Sequence, residues 1–271
     1  MKKELLPPDI LTPQLKEHLS ELKKCLKLKL NLQRSEPQGH LRISMNKNRG
    51  SPQFYLIKEP KNHNGTFLPL SQMEQIEKLA QKDYDSKLIK ILQAQIIALE
   101  NYIELSDCKI EHLYSRMNKV RQSLITPATL TNEQFIEEWQ KVTWSTRPFD
   151  ADAPEYFTAC NERVRSKSEV IIADTLNRKG IPYRYEYPVE LSGKTFHPDF
   201  LCLNLRTRQE IIWEHFGMMD CPEYLEQALQ KIKIFNDNNY FIGRNLIITM
   251  ESQSNNISTR QLEQIIKAYL I

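Results

Sequence analysis

No stretch of this chain stays apolar for more than a few residues, far short of the roughly 20 that a membrane-spanning helix needs. Nothing in it resembles a secretory leader either. Met1-Lys2-Lys3 is followed by Glu4 and then by Pro7 and Pro8, where a leader would place an apolar core. Cysteine is sparse: Cys25, Cys108, Cys160, Cys202 and Cys221 include no CxxC pair, and an odd count cannot be fully paired within the chain. Reduced thiols in a reducing compartment are therefore expected, and a zinc site is not. There is no internal repeat and no low-complexity tract, which sets aside repeat architectures. Neither a C2H2 pattern nor an aromatic RNA-binding signature occurs, so no base-reading code is inferred. A cytoplasmic protein without a membrane partner is the expectation.

What is present is ordinary in amount and uneven in distribution. The 271 residues are 40% apolar and 26% charged, enough for one large domain or two modest ones with proper cores. Residues 1–150 hold 23 Lys/Arg against 18 Asp/Glu, and residues 151–271 hold 14 against 16. The basic first half suits contacts with a nucleic-acid backbone through Lys23, Lys24, Arg42, Lys47 and Arg49. A solvated helix and hairpin surface would look the same.

Leucines on one face and lysines on the other predict a helix over Leu15 to Leu32, entered through Thr12-Pro13. "HLRISM" and "QFYLI" alternate apolar with polar around Asn48-Arg49-Gly50, predicting a hairpin at about 40–58. Ser71 with Glu74 has capping-box spacing, and helices are expected over 71–82, 84–105 and 107–123, with another opening at Thr131 and Gln134 and ending near Val142. Periodicity fades over 143–165, where "STRPFDADAPEY" has the Pro and Asp content of a connector. Residues 1–142 thus read as a mainly helical region with a hairpin, and 166–271 as a separate α/β unit. Its expected order is helix 168–179, strands 181–191, 195–204 and 209–216, helix 222–236, strand 244–250 and helix 258–269.

Two acids interrupt the apolar strands of "KTFHPDFLCLNLRTRQEIIWEHFG". Pairing Asp199 with Glu214 centres the intervening turn between Arg206 and Thr207, inside the polar "LRTRQ", and alternation then puts both carboxylates on one face with Leu201, Leu203 and Ile212. Like charges on such a face need a counter-charge. A hard divalent cation would supply it, and so would Arg184, Arg206 or Arg208. Upstream, Glu169 shares a helical stripe with Ile172, Ala173 and Leu176, so it faces the sheet, and it also has capping-box spacing from Ser166.

The order "KSE" on a helix, a strand pair, "HPDF" and then "WEHFG" resembles the PD-(D/E)XK nuclease superfamily, from about Ser166 to Leu270. That resemblance implies a restriction-endonuclease-like core: a helix, a mixed central sheet and flanking helices, α+β or α/β in class. It implies that Asp199 and Glu214 bind a catalytic Mg²⁺, or Mn²⁺ in its stead, with Glu169 in support. The superfamily's lysine lies two residues after the second acid, where this chain has Phe216. Lys231, in "LEQALQKIKIF", is the best replacement, although a solvated lysine on an amphipathic helix fits the same pattern. Alternation sends His215 to the opposite face, as a hydrogen-bonded structural residue, unless strand twist brings it to the metal as base or ligand. His197 would stand at the edge of the site, and Glu186 could act as an outer acid. The implied activity is metal-dependent phosphodiester hydrolysis, with DNA as the expected substrate and room for a homodimer. The alternative is a non-catalytic nucleic-acid-binding or interaction protein that keeps the fold without its lysine.

Overall fold

The computed structural model describes residues 4–33, 36–46, 50–58, 64–106 and 109–271. These form two compact units, one of Ile10–Lys109 and one of Met1–Asp9 with Ile110–Ile271. Lys47, Arg49 and Cys108 lie outside the described residues, as do most of the turn around Asn48 and all of Met1-Lys2-Lys3. Cys25, Cys160, Cys202 and Cys221 are free thiols. No helix among the described residues is long and apolar enough to cross a membrane.

The unit of residues 10–109 contains α1 (Leu11–Gln33), β1 (His40–Met45), β2 (Pro52–Ile57), β3 (Thr66–Leu68) and α2 (Met73–Ser106). β1 and β2 form the expected hairpin, and β3 adds an antiparallel third strand that the sequence pattern did not predict. A small core of Leu56, Leu68, Ile76 and Leu79 joins this sheet to α2. The two expected helices 71–82 and 84–105 are one continuous helix, since nothing at Asp83 breaks the hydrogen-bonding run. The expected Ser71 capping box is absent: a 3-10 turn at Leu70–Gln72, with Pro69 before it and no side-chain cap, leads into α2.

The second unit begins with α3 (Lys109–Ser115), α4 (Lys119–Leu124) and α5 (Asn132–Gln140), so the helix expected over 107–123 is two short ones. α5 opens with the Thr131–Gln134 capping box in both directions. β4 (Tyr156–Phe157) and β5 (Arg163–Val164) precede α6 (Lys167–Arg178), after which come β6 (Tyr183–Tyr185), β7 (Val189–Leu191), β8 (Lys194–Phe196), β9 (Phe200–Asn204) and β10 (Gln209–Phe216). α7 (Pro222–Asp237), β11 (Leu246–Met250) and α8 (Thr259–Tyr269) complete it.

The central sheet runs β11-β10-β9-β6, with β10 parallel to β11 and the other pairs antiparallel. All five residues of β9 are buried, because both faces of the sheet are covered. α6 and α8 place Ile172, Leu176, Leu262 and Ile266 against Phe200, Cys202, Ile211 and Trp213. On the other face α5 and α7 place Phe135, Trp139 and Phe235 against Leu201, Leu203 and Ile212. Burying each such side chain is worth about 1.5–3 kcal/mol. The expected long strands 181–191 and 195–204 are each divided. Glu186, at φ 48°, turns the chain out of β6, and Ser192-Gly193, both with positive φ, close the separate β7–β8 hairpin.

This packing moves the expected domain boundary. The chain divides near residue 110, because Leu130, Phe135 and Trp139 belong to the core under the sheet. The stretch 143–165 is not a free connector: Trp144 Nε1 donates to Tyr185 O at 2.8 Å, and Arg147 is held by Glu186.

Candidate active site

The β9–β10 ladder sets Trp213 opposite Phe200 and Ile212 opposite Leu201. Asp199 lies just before β9, one step past the last pair, where the same register continued would bring it level with Glu214, and the charge of Glu214 does act on it. The turn is fastened by Asn204, whose Oδ1 accepts from the main-chain N–H of Arg206 and of Thr207, both at 3.0 Å. The turn therefore lies where pairing of the two acids requires it. Beyond the last ladder pair, the His215 main-chain N–H donates to Asp199 Oδ2 at 2.7 Å, which fixes that carboxylate at the strand end.

Glu214 is 3% exposed and Asp199 partly buried. Loss of solvent is the main reason the Asp199 pKa lies well above the ordinary carboxylate value, and the neighbouring charge of Glu214 adds to it. Glu214 is raised by burial too, against the opposing pull of Lys231.

Lys231 is the counter-charge. Its Nζ makes a short contact with Glu214 Oε1. On α7 it sits three residues after Ala228 and four before Phe235, both buried, so it shares their inward stripe. That spacing was a readable signal that this lysine leaves the solvated face. Glu214 Oε2, by contrast, is buried and makes no side-chain hydrogen bond, while the Asp199 main chain helps to hold the Glu214 pKa down. The arginines weighed as alternative counter-charges are engaged elsewhere. Arg184 pairs with Glu210 at 3.6 Å and lies 3.9 Å from the centre of the Trp139 ring, and Arg208 pairs with Glu4 at 3.6 Å. Arg206 is exposed at the far end of the hairpin.

Glu169 stands in the first turn of α6 with its hydrogen bonds taken. Oε2 accepts from Tyr185 Oη at 2.7 Å and from Arg165 N at 2.9 Å, and Oε1 accepts from Ser166 Oγ at 3.0 Å. Ser166 Oγ in turn accepts from Glu169 N, so the helix cap and the inward-facing acid coexist. The charge of Glu169 contributes to raising Asp199. His215 is a core residue through its ring: Nδ1 lies 2.9 Å from Thr249 Oγ1, which also accepts from Trp213 Nε1, and Nε2 lies 3.3 Å from Glu251 Oε1. What it offers Asp199 is its backbone N–H. His197 Nδ1 is 3.0 Å from Glu186 O. Phe216 is buried against the Tyr224 ring, at a centroid distance of 6.4 Å.

No group of three or more His, Cys, Asp or Glu side chains among the described residues is arranged to hold a metal ion alone. The donor set here is two carboxylates. In the other unit, Lys23 pairs with Glu100 at 2.6 Å, Lys24 is exposed on α1, and Arg42 donates to Asn64 O at 2.9 Å while lying over the Tyr55 ring. A cluster of arginines on Glu186 went unforeseen in the sequence, because loop residues carry no periodicity to mark them.

A stretch of 89 residues is 35% identical to part of an uncharacterized protein of Methanocaldococcus jannaschii, covering 32% of this chain and 7% of that protein. No family model and no solved structure matches the chain significantly.

Proposed function

We propose that the chain is a divalent-metal-dependent nuclease that hydrolyses phosphodiester bonds in DNA, with residues 166–271 forming a restriction-endonuclease-like core. The observation that carries this reading is the state of Glu214: one oxygen against Lys231, the other buried without a side-chain donor, and a second carboxylate, Asp199, close enough for the charge of Glu214 to act on it. Two carboxylates suit Mg²⁺ or Mn²⁺, since such ions keep several waters and take phosphate oxygens in addition to one or two protein carboxylates.

Asp199 and Glu214 would hold the ion, which when bound supplies a polarised phosphate oxygen and a water of lowered pKa. The chain's own groups do the positioning. The His215 N–H fixes the Asp199 carboxylate, and Glu169 ties Tyr185 to the start of α6 behind it. Lys231 places an ammonium beside Glu214, where negative charge on the phosphate would grow. This is the part that Phe216, an apolar ring in the core, cannot take.

Phe216 favours one competing reading, a nucleic-acid-binding protein without hydrolytic activity. Incubating supercoiled plasmid with the protein, with and without millimolar Mg²⁺, separates the two. Nicked or linear product formed with metal alone supports the nuclease. Intact plasmid in both, together with a retarded protein–DNA band, selects the binding protein.

A further inference from the structure

A buried acid next to the site holds two arginines where a structural tie needs one. Glu186 is 1% exposed, and it accepts from Arg165 Nε at 2.7 Å and from Arg147 Nε and Nη2 at 2.9 and 2.6 Å. Burial on its own would raise its pKa; hydrogen bonds from Arg165 and then Arg147 outweigh burial and hold it below the ordinary value. The cluster is left with one net positive charge. Arg165 Nη2 also donates to Arg147 O at 2.7 Å, and its guanidinium lies 4.4 Å from the centre of the Phe149 ring, as does that of Arg163. The Arg147 and Arg165 guanidinium groups are thus locked in position. Even so, the Arg147 side chain is 50% exposed and that of Arg165 26%. Fixed, fork-shaped donors open to solvent are what a phosphate oxygen pair binds best.

The cluster is tied to the acids. Glu186 N donates to Asp199 O at 3.1 Å, one backbone hydrogen bond from the carboxylate that His215 holds. We propose that Arg147 and Arg165 form a phosphate clamp that grips the nucleic-acid backbone beside the phosphate presented to Asp199 and Glu214. The clamp rests on the nuclease reading for which phosphate is cut, but its test requires no cleavage.

The test is binding of the full chain to a fluorescently labelled DNA duplex in EDTA, read by anisotropy over a series of salt concentrations. Replacing Arg147 by glutamine (Arg147→Gln) should lower the slope of log affinity against log salt by about 0.9, because one phosphate fewer is neutralised. Affinity near 0.1 M salt should fall roughly 8-fold, the change that a slope lower by about 0.9 gives at that concentration. A slope equal to that of wild type overturns the clamp, and so does a wild type that does not bind the duplex. A second measurement needs no variant: bound DNA should shield Arg147 in the wild-type protein from phenylglyoxal, as mapped by mass spectrometry. Unchanged reactivity there also overturns it. If wild type binds in an Arg147-dependent way yet leaves DNA uncut in Mg²⁺, the clamp stands and the nuclease reading falls. Cutting with an unchanged slope leaves the nuclease and removes the clamp.

Discussion

Neutralising Asp199 should stabilise the metal-free protein, which no ordinary ion-pair partner would do. Opposed strand residues stand about 5 Å apart. Two like charges at that distance repel by roughly 3 kcal/mol at an effective dielectric near 20. Lys231 against Glu214 offsets part of this, and relaxation removes more. About 1 kcal/mol should remain, a rise in Tm of about 2–4 °C for Asp199→Asn in EDTA. Asparagine keeps an oxygen for the His215 N–H, so the strand end stays fastened.

The pH dependence has a definite sign. Burial and then Glu214 hold the folded pKa of Asp199 above its unfolded value of about 3.9, so the folded state binds the proton more tightly. Stability therefore falls as pH rises from the unfolded value through the folded one. The advantage of Asp199→Asn should be negligible near about pH 4 and should grow as pH rises through the folded value. Mg²⁺ at tenfold its Kd should add about 1.4 kcal/mol to wild type and little to the variant. Calorimetric melts of both proteins, in EDTA and in Mg²⁺, read all of this. A variant less stable than wild type in EDTA across the alkaline range, with a wild type indifferent to Mg²⁺, would instead make Asp199 a structural ion-pair partner.

Other perturbations read other parts of the structure. Lys231→Ala should lower kcat by about 10²–10³-fold with KM little changed, because its ammonium faces the developing charge; wild-type turnover would reduce Lys231 to an ion-pair partner. Glu186, whose folded pKa is depressed, contributes stability that is present above its unfolded value of about 4.3 and lost as pH falls through the folded one. Glu186→Gln should therefore lower Tm near neutrality and converge with wild type in acid, and a difference independent of pH would contradict the arginine pairing. Leu203, fully buried between β9 and the helices of its face, should cost about 2–5 kcal/mol on Leu203→Ala in urea denaturation; a drop under about 1 would mean that this face is loosely packed.

The hairpin was legible in the sequence because strand alternation has a fixed period of two. Once the polar turn was placed, the register of the two strands followed, and the structure has it from Gln209 with Asn204 to Trp213 with Phe200. The boundary was not legible. Leu130, Phe135 and Trp139 mark α5 as amphipathic, but an apolar stripe does not say which sheet it covers. Proline and aspartate made residues 143–165 read as a linker, whereas Trp144 and Arg147 tie its beginning to the end of β6. The strand break at Glu186 escaped because a positive φ at a non-glycine residue leaves no compositional mark. Lys231 lay between the two cases: its stripe with Ala228 and Phe235 was visible, but its contact with Glu214 depends on how α7 crosses the sheet.

The claim that Asp199 and Glu214 together carry metal-dependent hydrolysis meets its most direct test in one comparison. Purified wild type, Asp199→Ala and Glu214→Ala, each checked for folding by circular dichroism, are incubated with supercoiled plasmid in Mg²⁺. Nicking by wild type alone is the expected result. Retention of wild-type-like cleavage by either folded variant would contradict it.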